Sequence, residues 1–257
     1  MIYDSWMIAV ERIARVRVLR LENGPDNALS LALLAELRDA IAEAAADPGT
    51  RCLVLASGTP RYFSMGIDLK EFSRLPAARR AEPFLTLLSV YRSLRELPKP
   101  TLAAIGGSAI LGGWILAMGC DFRLLTEEGR IALSEIRFGL SPTPVLLRRL
   151  RGMSASPTLL KDLVLRGRTL RAPEALAGGF VDRVVPAPAL LQEALRAAKS
   201  LSQQAPAAYA AVKAGLAEED DALWRRSRAE FSRLFRLPEV QKSLAALSGK
   251  RRTRWED

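Results

Sequence analysis

The chain has 257 residues, of which 49% are hydrophobic, so it can bury the core of one large domain or two small ones. It has no histidine and only two cysteines, which excludes Ser-His-Asp and Cys-His catalysis, histidine-based metal sites and four-thiolate zinc sites. The net charge of +10 favours anionic partners, although the basic residues are scattered except in a run at 250–254.

The first predicted elements are two strands and a helix. Residues 8–22 alternate apolar and charged side chains, which is typical of antiparallel strands with one face in water. After a turn at 23–27, Ser30 caps a helix predicted over 31–46, with its apolar side chains on one face.

Two glycine-bearing stretches carry most of the chemical information. Residues 62–69 read YFSMGIDL and follow an apolar run at 52–56, and residues 106–113 read GGSAILGG and follow an apolar run at 101–105. Glycine turns between a strand and a helix expose backbone N–H groups that the helix cannot satisfy. Two such turns can hold one anionic oxygen, and the predicted donors are the N–H groups of Ile67 and Gly112. Ordinary tight turns that need glycine for backbone shape are the alternative.

The remainder of the chain is predicted to be mixed and then mainly helical. We expect helical stretches near 68–75 and 81–97, a buried helix at 112–118, strands at 121–125 and 131–133, a strand at 180–184, and amphipathic helices at 190–201 and 217–235. This order predicts an α/β domain with a C-terminal helical extension. A Rossmann-like sheet is the default for such a pattern, but no G-x-G-x-x-G follows the first strand.

Glu135 is the candidate acid–base residue. It is a lone carboxylate just after the strand-like run at 131–133, and apolar residues follow it at 136, 138 and 140. Apolar surroundings raise the pKa of a carboxylic acid and make it a better base near neutral pH. The pattern alone favours the alternative, a surface glutamate paired with Arg130 or Arg137.

Three motifs in this order resemble the crotonase, or enoyl-CoA hydratase/isomerase, superfamily. FSMGIDL at 63–69 is similar to its F-[SC]-A-G-x-D-[LI] segment. Residues 107–121 are similar to its G-x-A-x-G-G-G-x-E-L-A-x-x-C-D segment, with Leu111 in place of the first clustered glycine. RAPEALAGGFVDRVVP at 171–186 resembles its A-x-E-A-x-x-x-G-[LIF]-V-[DN]-x-V-V-P segment. The resemblance implies a crotonase-like spiral of β-β-α units over residues 1–190 and a C-terminal helical trimerisation region over 191–257.

The resemblance also implies the members of a site. Ile67 and Gly112 would donate their N–H groups to the carbonyl oxygen of a CoA thioester, and Glu135 would be the acid–base group. The implied substrate-binding residues are Ala28, Leu29, Met65, Gly66, Asp68, Leu69, Trp114, Ile115, Phe138 and Leu140. No metal and no separate cofactor are expected, because coenzyme A is part of the substrate.

A departure from the hydratase pattern points to the reaction. Hydratases carry two glutamates, of which the second matches Glu135 and the first falls on Ile115. Adding water requires one group to deprotonate the water and another to supply a proton, whereas a double-bond shift requires a single base. One glutamate in a dry, apolar site therefore predicts an isomerase that moves a β,γ double bond into conjugation. The stretch at 23–31 is compatible with the Δ3,Δ2-enoyl-CoA isomerase branch.

Other functions stay open at this point. Decarboxylation and weak one-glutamate hydration use the same thioester enolate. Because Met65 replaces the usual alanine, a thioester carried by an acyl carrier protein is an alternative to acyl-CoA. A non-catalytic RNA-binding homologue is disfavoured by scattered arginines and few aromatic residues, so no nucleic-acid partner is expected.

Location and assembly are also predicted. The N-terminus lacks the features of a signal peptide, no apolar run is long enough to span a membrane, and Cys52 and Cys120 lie in apolar contexts, so we expect a cytoplasmic protein with free thiols and no membrane partner. The family resemblance implies a homotrimer or a dimer of trimers, and a large apolar stripe near the C-terminus independently predicts an interface between subunits. The stripe consists of Leu223, Trp224, Phe231, Leu234, Phe235, Leu237, Val240, Leu244 and Leu247. Packing of the stripe on the chain's own core is the alternative.

Overall fold

The computed structural model describes residues 7–217 and 219–248, the last two by backbone only, and its strands form two sheets. The strands are β1 Ile8–Ile13, β2 Val16–Leu21, β3 Cys52–Ser57, β4 Tyr62–Ser64, β5 Thr101–Ile105, β6 Ser108–Ile110, β7 Phe122–Thr126, β8 Arg130–Ala132, β9 Leu170–Arg171 and β10 Arg183–Val185. The larger sheet has the order β1-β2-β3-β5-β7-β10, and the smaller sheet has the order β4-β6-β8-β9. Neighbouring strands are parallel except for the antiparallel pairs β1–β2 and β8–β9.

Helices connect and cover the sheets. They are α1 Leu31–Ala46, α2 Leu69–Arg74, α3 Glu82–Glu96, α4 Gly112–Gly119, α5 Pro144–Met153, α6 Pro157–Val164, α7 Ala172–Ala177, α8 Leu190–Leu201, α9 Pro206–Ala217, α10 Asp221–Phe235 and α11 Pro238–Ser248. Ser30 caps α1 by accepting a hydrogen bond from the N–H of Leu33, so the predicted cap and both predicted ends of this helix are confirmed.

The chain winds as a spiral of β-β-α units, as predicted. Each turn of the spiral contributes one strand to the larger sheet, then one short strand to the smaller sheet, and then a helix. The successive units are β3-β4-α2, β5-β6-α4 and β7-β8-α5. The glycine stretches therefore do not lead directly from the strands at 52–56 and 101–105 into helices, because each stretch contains a second strand, β4 or β6.

Other boundaries differ from the sequence expectations for local reasons. The strands near 121–125 and 131–133 exist, but they belong to different sheets. The strand expected at 180–184 begins only at Arg183, because the N–H groups of Phe180 and Val181 donate to the carbonyl of Ala175 at the end of α7. The helix expected from 217 begins at Asp221, since Asp220 caps it at the N–H of Leu223.

Apolar clusters occupy both faces of the larger sheet. One contains α1, α3 and all of α4, which is buried along its whole length as predicted. The other packs Ala194 and Ala198 of α8 against Val54 and Leu102. Because α8 packs in this second cluster, there is no gap in packing at residue 190, where the spiral core was expected to end and the C-terminal helical region to begin.

The C-terminal helices α10 and α11, called the tail helices below, pack on their own chain. Trp224, Phe231, Phe235, Val240 and Leu244 are each at most 7% exposed. The apolar stripe therefore packs largely on the chain's own core, which was the alternative, and it is not the interface between subunits that the pattern predicted. The side chain of Leu247, the basic run at 250–254 and residues 1–6 lie outside the described part of the chain.

In the described ranges, no helix combines the length and the apolar character needed to cross a membrane.

Candidate active site

The candidate site lies where three neighbouring strands of the smaller sheet end. Strands β4, β6 and β8 are adjacent and parallel, so their carboxyl ends meet along one edge. Ile67 follows β4, Gly112 follows β6 and Glu135 follows β8. The β-β-α spiral thus brings together the three residues that were predicted to carry the chemistry.

The turn after β4 is held by a small hydrogen-bond network. The hydroxyl of Ser64 donates to the carbonyl of Asn27 at 2.7 Å and accepts from the N–H of Gly66 at 3.1 Å. Asn27 is fully buried and has a positive φ of 45°, a conformation that asparagine tolerates better than most residues. Gly66 has a φ of +92°, so a residue with a side chain would be strained at this position.

The N–H group of Ile67 is directed away from the backbone that supports it. The N–H of Leu29 donates to the carbonyl of Gly66 at 2.8 Å, and the N–H of Asp68 donates to the carbonyl of Leu29 at 3.1 Å. In this parallel bridge, the N–H and the carbonyl of Leu29 bond to Gly66 and Asp68, the residues before and after Ile67. The N–H of Ile67 is therefore on the side of its strand that faces away from Leu29. It donates to no acceptor within residues 7–217 and 219–248.

The turn after β6 supplies the second donor. Gly112 begins the buried helix α4, and its N–H donates to no acceptor in the part of the chain that the structure describes. A Cβ atom on Gly66 would lie 3.0 Å from the nitrogen of Gly112, so the two turns are in direct contact. The positive end of the α4 dipole lies at this position, which favours a negatively charged oxygen.

Leu111, immediately before α4, has an unfavourable backbone conformation with a φ of 49°. It replaces a glycine of the family motif, and its side chain lines the cavity described below. Strain of this kind costs about 1–3 kcal/mol and is concentrated at functional sites.

The far end of α4 is capped by two cations. Arg123 donates to the carbonyl of Cys120 at 2.8 Å, and Arg149 donates to the carbonyls of Met118 and Cys120 at 3.3 and 3.2 Å. These bonds satisfy carbonyl groups that a helix end leaves unpaired and oppose the negative end of its dipole. They help to fix α4, and with it Gly112.

Glu135 begins a short 3₁₀ turn, Glu135–Phe138, after β8. Its Oε2 atom is buried and has no hydrogen-bond partner within the described residues, and the carboxylate makes no ion pair there with Arg130 or Arg137. Burial raises the pKa of Glu135 to about 8, and a hydrogen bond from its own backbone N–H offsets only part of this effect. Glu135 is therefore not a surface glutamate paired with Arg130 or Arg137, which was the alternative that the sequence pattern favoured.

An apolar cavity of about 130 Å³ connects these groups. Its lining residues come from the two turns, α3, the segment around Glu135, α5 and the tail helices. They are Met65, Ile67, Leu69, Phe84, Leu85, Leu87, Leu88, Leu111, Gly112, Ile115, Glu135, Phe138, Leu140, Ser141, Pro142, Thr143, Leu146, Phe231 and Leu244. Glu135 is the single titratable side chain in this described lining, so the cavity combines one acid–base group with the N–H donors of Ile67 and Gly112.

Half of the predicted binding residues line this cavity. Ile115, Phe138 and Leu140 form part of its wall, and Met65 and Leu69 are each 38% exposed and also contribute. The side chains of these five residues are apolar, which agrees with the predicted dry environment around Glu135.

Other predicted binding residues have supporting positions. Leu29 and Gly66 hold the first turn through the backbone, and the carboxylate of Asp68 caps α2 by accepting from the N–H groups of residues 70 and 71. The carbonyl of Ala28 accepts from the side-chain amide of Asn23. Trp114 is fully buried in the main core and does not line the cavity, so its position does not support the predicted contact with substrate.

The walls formed by α3 and α5 were not predicted from the sequence, and neither were the particular residues of the tail helices that line the cavity. Phe84 contacts the rings of Phe72, Phe231 and Phe235, with ring centroids 5.4–5.8 Å apart, and two members of this aromatic group, Phe84 and Phe231, line the cavity. The apolar stripe of α10 shows in the sequence that this helix has a buried face. Periodicity does not show which part of the molecule that face contacts.

The chain belongs to the enoyl-CoA hydratase/isomerase family, whose model matches residues 11–257. It is therefore an enzyme of the crotonase superfamily, and its spiral fold is the fold of that group.

Relatives and solved structures agree on the family and differ in activity. The chain is 36% identical over 207 residues to a putative enoyl-CoA hydratase from Thermus thermophilus, covering 78% of this chain and 79% of that protein. It is similar to the crystal structure of human mitochondrial delta3-delta2-enoyl-CoA isomerase with a TM-score of 0.86 and 26% identity, covering 95% and 98% of the two chains. An enoyl-CoA hydratase structure from Bacillus anthracis gives a TM-score of 0.78 at 26% identity, covering 97% and 99%.

Proposed function

We propose that this protein is an isomerase that converts a 3-enoyl-CoA into the conjugated 2-enoyl-CoA with Glu135 as its single acid–base group. The observation that carries the proposal is the described lining of the cavity, in which Glu135 is the one titratable side chain and Ile115 occupies the position of a second glutamate. Family membership supports an acyl-CoA as the substrate.

The proposed reaction moves one proton. The Glu135 carboxylate removes a proton from the α-carbon, and the electron pair of that C–H bond enters a dienolate whose negative charge is largely on the thioester oxygen. The N–H groups of Ile67 and Gly112 donate to that oxygen and stabilise it. Glu135 then returns the proton to the γ-carbon, so the double bond moves from the β,γ to the α,β position and the carboxylate is regenerated.

The apolar walls favour isomerisation over hydration. A hydratase must hold a water molecule against the β-carbon, and a second carboxylate would orient and activate that water. Ile115 can neither accept nor donate a hydrogen bond, and the apolar wall around it disfavours bound water. The same exclusion of water protects the dienolate from protonation by solvent.

A product-resolved assay tests the proposal. The purified protein is incubated separately with a 3-enoyl-CoA and a 2-enoyl-CoA of equal chain length. The products are separated by chromatography, and their masses are measured by mass spectrometry. We expect the first substrate to give the 2-enoyl isomer with no change in mass, and the second to gain little or no water. Rapid hydration of the 2-enoyl-CoA together with no isomerisation would show that the protein is a hydratase.

The same assay with a 3-enoyl group on an acyl carrier protein distinguishes the two thioester carriers. We expect the CoA thioester to be the better substrate.

A further inference from the structure

Thr143 is a buried polar residue that the proposed reaction does not use. It is 6% exposed, it lines the cavity that contains Glu135, and its Oγ1 atom has no hydrogen-bond partner within the described residues. A buried hydroxyl without a partner is costly, so its persistence in a native structure calls for an explanation.

The position of Thr143 makes the free hydroxyl more informative. Thr143 is the N-cap residue of α5, where a threonine side chain usually accepts a hydrogen bond from the first turn of its own helix. Here it makes no such bond, and the N–H of Val145 donates instead to the hydroxyl of Ser227 on α10 at 2.9 Å. Ser227 on a second helix therefore makes this capping interaction, and the hydroxyl of the cavity-lining residue Thr143 is left without a partner among the described residues.

The other polar residues of the lining do not supply a hydrogen bond to the Thr143 hydroxyl. Ser141 also lines the cavity, but its hydroxyl donates to the carbonyl of Pro142 at 2.8 Å. Of the polar lining side chains, Glu135 and Thr143 are therefore the two with unpartnered buried oxygens. Glu135 is assigned to proton transfer, so Thr143 is the group available for recognition.

The cavity also restricts what Thr143 can recognise. In the described lining there is no cationic side chain, so a carboxylate or phosphate on the acyl chain would be desolvated without a counter-ion. A hydroxyl or a carbonyl oxygen carries no net charge, and it can bond to a threonine hydroxyl, which is both donor and acceptor.

We propose that Thr143 is a specificity-determining residue that hydrogen-bonds to a neutral oxygen on the acyl chain, so that the preferred substrates are acyl thioesters bearing a hydroxyl or keto group. This inference rests on the proposed function only in assuming that the cavity holds the acyl chain.

Binding measurements with unreactive ligands test it separately from the isomerase assay. Saturated, unbranched acyl-CoAs of increasing chain length are each paired with their terminal hydroxy derivative, and dissociation constants are measured by calorimetry. The proteins are the wild type, Thr143→Val, which removes the hydroxyl at similar size, and Thr143→Ser, which keeps it.

At the chain length that places the oxygen against Thr143, we expect the hydroxy ligand to bind the wild type about three to ten times more tightly than its parent, as one neutral hydrogen bond allows. Thr143→Val should abolish this preference and raise the melting temperature of the free protein, and Thr143→Ser should retain the preference. No preference at any chain length, or an equal preference in Thr143→Val, would overturn the inference even if isomerisation is observed. Failure of isomerisation with the preference intact would instead reject the proposed reaction alone.

Discussion

The ionisation of Glu135 should control the rate. Because burial raises the pKa of this carboxyl to about 8, most of it is protonated at pH 7 and cannot act as a base. We expect kcat/KM for isomerisation to rise about tenfold per pH unit below this pKa and to level off above it. The check is a pH–rate profile, and a flat profile between pH 6 and pH 9 would contradict the assignment.

Glu135→Gln is the matched control for that profile. The amide keeps the shape of the side chain and cannot accept the α-proton, so the rate should fall by roughly 10²–10⁴-fold or more while acyl-CoA binding is retained. The residual rate should no longer follow the ionisation of a group with a pKa near 8.

Ile115 is the residue at which hydratase chemistry should be recoverable. Ile115→Glu places a second carboxylate in the wall of the same cavity, and we expect measurable addition of water to a 2-enoyl-CoA. The variant should also lose about 3 kcal/mol or more of folding free energy, because the new carboxylate is buried without a partner. Ile115→Gln controls for size and polarity. If folded Ile115→Glu hydrates no faster than Ile115→Gln, the missing glutamate is not what separates this chain from hydratases.

The tail helices form part of the cavity wall. Phe231 lines the cavity, whereas Phe235, one turn further along α10, packs in the same aromatic cluster without lining it. We expect Phe231→Leu and Phe235→Leu each to lower stability by about 1–2 kcal/mol. Phe231→Leu alone should weaken acyl-CoA binding, by roughly tenfold, because it removes apolar surface from the ligand site. Equal effects of the two variants on binding would mean that α10 only supports the fold.

The elements differ in how well the sequence predicts them. The ends of α1 and α8 agree with the prediction, because Ser30 marks one start and both helices are amphipathic over their whole length. Strands β4 and β6 have three residues each, which is too short for a period-two pattern to be recognised. Hydrogen bonding to neighbouring strands, and not local pattern, therefore defines them.

The same contrast holds for the site. Ile67, Gly112 and Glu135 could be predicted because each lies in or near a motif at a strand end. The contribution of Phe231 and Leu244 to the cavity could not be predicted, since periodicity shows that a helix has an apolar face but not what that face contacts. The free hydroxyl of Thr143 depends on Ser227, more than eighty residues away in the chain, and no local signal predicts it.

For the whole molecule, the expectation of a trimer now depends on the family resemblance and on a different surface. Leu165 is 62% exposed and Ile136 is 40% exposed. Ile136 packs against Gly167, which lies two residues after Leu165 in the chain. We expect light scattering at micromolar concentration to give three or six times the 28.1 kDa mass of one chain. Leu165→Glu should shift this mass toward one chain, because a charge would be buried in the interface. A wild-type mass near 28 kDa would refute the trimer.

The proton transfer by Glu135 is tested most directly with a 3-enoyl-CoA that carries two deuterium atoms on its α-carbon, converted in ordinary water. A single buried base that removes and returns the same hydrogen predicts a 2-enoyl-CoA in which a substantial part of the transferred deuterium is found on the γ-carbon, with no oxygen added. Nuclear magnetic resonance locates the label, and mass spectrometry detects any added water. Complete replacement of the transferred deuterium by solvent hydrogen would contradict direct return of the hydrogen by a Glu135 that is shielded from water, and a product that has gained water would contradict isomerisation.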